Sequence, residues 1–247
     1  MNRRGMMKGM AALALCPLCA ADAFAQAAHW SYEGRTNPAN WGRVANKVCA
    51  TGTQQSPVDI AGTVRAELPK LELAWAKSAD TIVNNGHTIE LEFHDGGTLK
   101  VGDDSYTLTQ FHFHHPSEHH IDGKPAAMEV HFVHTIAGGY GVIGALMKAG
   151  ASNAVFKTIA ATMPQQEGPP VRADPAIDPN GLLPAGRSYF RYAGSLTTPP
   201  CAETVAWFVL ADPLEVAESD IAAFAKLYAD NARPVQQLHR RFLLRTM

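Results

Sequence analysis

Ile89, Leu91 and Phe93 alternate with Glu90 and Glu92, the period-two pattern of a strand buried on one face. Asp95-Gly96-Gly97 then turns the chain. From Tyr106 to His114 the alternation returns. Gln110, His112 and His114 fall on one face and Phe111 and Phe113 on the other, because side chains two apart in a strand point the same way. The phenylalanines belong to the core, so the histidines face a cavity. Glu129 to His134 repeats the arrangement, and Tyr140 to Lys148 and Val205 to Leu210 read as further apolar strands. Helical spacing is sparse. Ser152 is placed to cap a helix carrying Val155, Phe156 and Ile159, and Ser219 one carrying Ile221, Phe224, Leu227 and Tyr228. Residues 26–40 form an irregular arm with His29, Trp30 and Tyr32 as anchors, and the Pro- and Gly-rich stretch 164–187 is a long loop. With no internal repeat and no linker, the pattern predicts one mainly β (α+β) domain. It has a large, mostly antiparallel central sheet and a few short surface helices.

The first residues follow a different rule. Arg3, Arg4 and Lys8 precede an apolar stretch from Met10 to Cys19, which is too short to span a bilayer. Ala23-Phe24-Ala25 is a small-x-small cleavage signal. Residues 1–25 therefore read as a cleavable signal peptide and 26–247 as the functional domain, with a periplasmic destination. The Arg3-Arg4 pair fits a twin-arginine signal, and the general secretory route fits equally. Cleavage leaves 18 Lys and Arg against 22 Asp and Glu. This weak acidity and the lack of a basic run argue against nucleic acid as a partner. Two of the four cysteines leave with the signal. Cys49 and Cys201 remain, an even pair that favours one disulfide in an oxidising compartment, the alternative being two buried thiols.

Seven of the eleven histidines lie between positions 112 and 134. His112 and His114 share a strand face, and an antiparallel neighbour can bring His131 opposite them. Three imidazoles from rigid strands make an open zinc site whose fourth position is left for water. Metal-bound imidazoles usually donate their second N–H to an acceptor. Gln110 stands two residues before His112, and Glu129 stands two before His131. The repeated offset marks both as acceptors behind the ligands. His134 has the wrong parity to join His131 and reads as structural. His115, His119 and His120 read as loop or rim residues with no metal role.

Five segments in order resemble the α-class carbonic anhydrases. They are Gln55-Ser-Pro-Val-Asp-Ile60, Gln110-Phe-His-Phe-His114, Ser117-Glu-His119, Glu129-Val-His-Phe-Val-His134 and Ser195-Leu-Thr-Thr-Pro-Pro200. The likeness runs from His29-Trp30 to Asn231-x-Arg233-Pro234, and the short connection from His114 to Glu129 is similar to the compact, exported bacterial members. It implies zinc-dependent reversible hydration of carbon dioxide to bicarbonate and a proton. In that chemistry zinc-bound hydroxide attacks carbon dioxide and a histidine carries the proton away. Residue by residue, it implies His112, His114 and His131 as ligands. Thr197 would accept from the hydroxide while donating to Glu118. Val133, Val142, Leu196, Thr198, Val205 and Trp207 would form the substrate wall. His87 would be the proton shuttle, and Tyr32 and Asn85 would order water beside it. Cys49 and Cys201 match the disulfide positions. Glu90 stands where animal members carry an amide. A homodimer is compatible with the likeness, and no membrane span is implied.

Two other readings compete. His112-x-His114-x-x-x-Glu118 fits half of a cupin motif with Glu118 as a fourth ligand, but Tyr106 and Pro125 replace the cupin glycines, and no second histidine motif follows at cupin spacing. A non-catalytic binding module of the same fold would typically lack one of the three histidines, and here all three are present.

Overall fold

A computed structural model describes residues 29–247. The expected signal peptide and its cleavage position lie outside the described residues. A thirteen-stranded sheet dominates the molecule. Four of its neighbouring strands organise the rest: β1 (Ile89–Glu92), β2 (Asp104–His114), β3 (Met128–Ile136) and β4 (Gly139–Ala149). They pair antiparallel in that order. β5 (Tyr189–Gly194) and β6 (Val205–Leu210) follow. β6 pairs parallel to β4 and antiparallel to β5, so a long excursion separates β4 from its parallel neighbour. The mostly antiparallel sheet with few short helices agrees with the sequence pattern.

Alternation along these strands sorts the two faces. Behind the sheet, Phe111, Phe113, Val130, Phe132 and Ile143 are completely buried in the larger core. Two helices cover this side, α1 (Ala154–Thr162) and α2 (Glu218–Ala225). Phe156 of α1 and Phe224 of α2 both pack on Phe113, with ring centroids 5.2 and 6.0 Å away. Each fully buried Phe contributes on the order of 1.5–3 kcal/mol of burial free energy, so this layer anchors β2 and β3. The front face carries a second apolar cluster, and the histidines lie beside it.

The helix starts differ from expectation by a residue or two. Asn153, not Ser152, caps α1, its Oδ1 accepting from the Phe156 N–H at 2.9 Å. Both residue types can cap, and Asn153 has the extended backbone that aims its oxygen at the third helical N–H. Ser219 lies inside α2, which begins after Ala217 without a side-chain cap and with Glu218 and Asp220 in its first turn. Carboxylates there complement the helix dipole. Leu227 and Tyr228 fall beyond its end. The stretch 164–187 is mostly irregular, apart from Val171–Arg172 on the sheet edge and a 3-10 turn at Pro179–Leu182. In the arm, Trp30 and Tyr32 pack around Trp41. Cys49 and Cys201 form a disulfide next to this aromatic group.

Candidate metal centre

β3 runs antiparallel to β2 with His131 directly opposite His112. His114 projects from the same face of β2 two residues on. Ligating atoms of the three rings lie within 4.8 Å of one another. Each ring is held through one nitrogen. His112 Nδ1 lies 2.7 Å from Gln110 Oε1, and His114 Nδ1 lies 2.8 Å from the Asn231 carbonyl oxygen. His131 Nε2 lies 2.9 Å from Glu129 Oε1, although its angle falls short of full hydrogen-bond geometry. The opposite nitrogens are therefore left to face one another. His114 Nε2 is buried without a hydrogen-bond partner among the described residues. A buried polar nitrogen without a partner costs free energy, and a cation at the convergence point would satisfy it.

The electrostatics suit neutral imidazoles. Burial, with the charge of neighbouring histidines, holds His112 well below the ordinary histidine range. Burial also brings His114 to about 4 and lowers His131. The rings therefore carry lone pairs, not charge, at neutral pH, as metal ligation requires. Burial pushes the Glu129 carboxyl up. The adjacent His119 and His131 rings together outweigh it and hold Glu129 well below the usual carboxylate range. Opposite His131 on β4 stands Gly144, where an added Cβ would come 2.7 Å from Glu129 Oε1. Only a glycine leaves room for that carboxylate.

Glu118 is completely buried, and burial raises its carboxyl to about 7. His131, the Arg233 N–H and the Thr197 side chain pull the other way. Oε1 accepts from the Arg233 N–H at 2.8 Å. Among the described residues, Glu118 Oε2 has no hydrogen-bond partner in full geometry. A divalent cation nearby would favour the carboxylate form further.

Val133, Val142, Val205 and Trp207 meet in one buried cluster, and Leu196 packs against it. Register explains the convergence: Val133 faces Val142 across β3 and β4, and Val142 faces Trp207 across β4 and β6. The Trp207 ring lies 4.8 Å from His131, so the apolar wall borders the three histidines. Thr198 is half-buried in the turn before the prolines, its carbonyl accepting from the Cys201 N–H. On the other flank Glu90 lies opposite His112 and Glu92 opposite Gln110. One side of the histidines is therefore apolar and the other polar. His87 is half-buried at the polar edge and stacks on Trp30 and His29. Tyr32 approaches His87 edge-on at 6.4 Å. Asn85 Oδ1 accepts from the His87 N–H, and its Nδ2 lies 3.5 Å from Glu90.

Three features were not legible in the sequence. His119 is no rim residue. It is fully buried, with Nδ1 2.7 Å from Glu129 Oε1 and Nε2 2.6 Å from the Tyr192 hydroxyl. Asn231 contributes through its backbone oxygen, which no residue type signals. Arg233 anchors Glu118 through a backbone N–H, and its guanidinium donates to the carbonyls of Ser56 and Cys49. His134 is structural as expected, buried with Nδ1 3.0 Å from the Gly141 carbonyl.

A large sheet presenting three neutral, converging histidines beside an apolar wall is a candidate metal site in a mainly β protein. The sequence profile of the eukaryotic-type carbonic anhydrases matches residues 36–246, and the chain belongs to this family. It is 38% identical to a carbonic anhydrase of Pectobacterium carotovorum over 245 residues, covering 96% of this chain and 100% of that one. It is 39% identical to a carbonic anhydrase of Neisseria gonorrhoeae, covering 94% of each. The structure superposes on the α-carbonic anhydrase of Thermovibrio ammonificans, solved with the inhibitor sulfanilamide. That match has a TM-score of 0.85 and 40% identity, covering 88% of this chain and 99% of that one. Members of this family are metalloenzymes. No helix among the described residues is long and apolar enough to cross a membrane.

Proposed function

We propose that this chain catalyses the reversible hydration of carbon dioxide to bicarbonate and a proton at one zinc ion held by His112, His114 and His131. The observation that carries the reading is the convergence of three neutral imidazoles, each anchored through its other nitrogen. Three histidine donors with an open fourth position suit zinc. Zinc would supply hydroxide at neutral pH by bringing the pKa of bound water to about 7, a value known for carbonic anhydrases as a class and not obtained from this structure.

The remaining steps belong to the chain. Glu118, buried beside Thr197, takes the threonine's proton as a hydrogen bond. The Thr197 oxygen can then only accept, which orients the nucleophile. Val133, Val142, Leu196, Thr198, Val205 and Trp207 hold a small apolar substrate close to the metal and exclude water from it. Buried apolar groups cannot hydrate bicarbonate, so the charged product is favoured to leave. His87 takes the proton to solvent, aided by water ordered at Tyr32 and Asn85, because an imidazole gains and loses charge near neutral pH. The functional unit is residues 26–247, released in the periplasm after removal of residues 1–25.

Metal analysis and a carbon dioxide hydration assay on one preparation test this reading. One zinc per chain with hydration activity is expected, both lost in His131→Ala. Full zinc occupancy in that variant would overturn the ligand assignment. The cupin reading predicts iron or manganese instead, with Glu118 ligating.

A further inference from the structure

We propose that a cavity at one end of the central sheet, on the side of the larger core, binds a small aromatic carboxylate. Arg191 holds the anion, and Tyr106 and Phe242 hold the ring. The inference does not depend on the metal-site reading, because none of these residues takes part in it.

Strand parity puts the cavity behind the sheet. Val205 and Trp207 belong to the apolar wall beside the histidines. Ala206 between them points the other way and packs against the larger core. Its partner on β5 is Ala193. Two alanines side by side leave a depression in a surface that large side chains fill elsewhere. The next register pair is Phe208 and Arg191, and Leu244 stands on the far side of Arg191. Tyr106 closes one wall. Its ring lies against Gly141, where an added Cβ would come 2.8 Å from a ring carbon. The cavity so formed has a volume of about 630 Å³, within the range of roughly 300–1,000 Å³ usual for small-ligand sites.

The charge pattern selects the ligand class. Arg191 and Arg240 both line the cavity. Among the described residues, the one bridge from a lysine or arginine to a carboxylate joins Lys148 and Glu215, so neither guanidinium has an acid partner there. Arg241 beside them spends its donors on the carbonyls of Leu238, Ala193 and Gln237. Glu203 also lines the cavity, but its Oε1 already accepts from the Gln54 N–H and from Gln55 Nε2. Arg191 is half-buried, with Cζ 5.8 Å from the centre of the Phe208 ring. Burial pushes the Tyr106 hydroxyl up, Asp104 adds to this and the Arg191 charge opposes it, so the guanidinium acts at the Tyr106 wall. A half-buried guanidinium without an acid partner is suited to a bidentate carboxylate. At the rim, Phe242 is 75% exposed. A ring lying between Tyr106 and Phe242 removes that apolar surface from water. A small aliphatic anion leaves Phe242 exposed, and a neutral aromatic leaves Arg191 unpaired. An aromatic carboxylate satisfies both.

The test titrates the zinc-loaded mature protein with naphthoate and, separately, with neutral naphthamide, followed by methyl NMR. One naphthoate per chain is expected to shift the Ala193, Ala206 and Leu244 methyl signals and leave those of Val133 and Val142 unmoved. Naphthamide, and naphthoate with Arg191→Gln, should bind about 10-fold or more weakly, the worth of a charged hydrogen bond. Phe242→Ser, altered at an exposed position, should weaken naphthoate binding severalfold and keep wild-type hydration activity. No shift at the cavity methyls would overturn the proposal. So would equal affinity for naphthamide, or undiminished naphthoate binding by Phe242→Ser. Shifts at Val133 and Val142 alone would assign the anion to the histidine site instead and overturn it equally. Leu244 signals that change with protein concentration and ignore the probe would give the surface to a second copy of the chain, which also overturns it.

Discussion

The Trp30 indole lies flat against the His87 imidazole, ring centroids 3.7 Å apart and planes 10° from parallel. The N-terminal arm therefore holds the proposed shuttle at the polar edge of the site. Burial, with the charge of His29 second, lowers His87 from the ordinary histidine value, while Glu167 opposes the shift. A lowered pKa keeps the ring neutral and ready to accept a proton closer to acidic pH. His87→Ala should lower kcat strongly at low buffer concentration and leave kcat/KM for carbon dioxide nearly intact, with added imidazole restoring the loss. Trp30→Ala should shift the kcat titration upward, because it exposes the ring and removes the main cause of the lowering. A parallel fall of kcat/KM in His87→Ala would assign that residue to substrate contact instead.

Thr197 and Glu118 test orientation separately from metal binding. Thr197→Ala should keep one zinc per chain and lose about 2.7–4 kcal/mol of transition-state stabilisation, the usual cost of one preorganised group. That corresponds to a fall of roughly 100- to 1000-fold in kcat/KM. Activity within a few-fold of wild type would leave Thr197 as a turn residue before Pro199 and Pro200.

Strands and the convergence of the three histidines were legible because both signals are local. A period of two sorted Phe111 and Phe113 from His112 and His114, and the same parity placed Gln110 and Glu129 behind their neighbours. What failed to show was non-local. His119 follows Glu118 in an irregular loop where parity has no meaning, so nothing in sequence distances marks it as the partner of Glu129 and Tyr192. Tyr192 lies 73 positions from His119, and only the β5–β6 register brings it there. Asn231 serves His114 through a carbonyl that any residue would supply. The caps missed for a simpler reason: Ser152 and Asn153 are adjacent and both able to cap, and only backbone geometry separates them.

The Cys49–Cys201 bond spans a sequence separation of 152 residues. Closing so long a loop restricts the unfolded chain, and the chain-entropy account sets a ceiling of about 5 kcal/mol. It also fastens the arm-side aromatic cluster to the turn after Pro200. The double variant Cys49→Ser, Cys201→Ser should unfold at lower denaturant concentration, while a folded sample keeps its zinc. Equal midpoints for the oxidised and variant proteins would show that the bond adds nothing to stability.

Glu90 gives the clearest pH signature. It stands opposite His112, and burial, followed by the charge of Glu92, raises its carboxyl from 4.5 to about 7. A group that binds its proton more tightly folded than unfolded makes stability fall as pH rises between the two values. The penalty is absent below about 4.5, grows towards 7 and is complete above it. Glu118 is raised in the same way, and the buried histidines, whose values are lowered, act in the opposite sense below neutrality. Comparing Glu90→Gln with wild type cancels those shared contributions. The comparison belongs on metal-free protein, since a nearby cation would itself lower the carboxyl. The variant should gain melting temperature relative to wild type at pH 8 and little or nothing at pH 4.5. An identical difference at both values would mean that folding leaves the Glu90 titration unshifted and that its neighbourhood is wetter than its burial suggests.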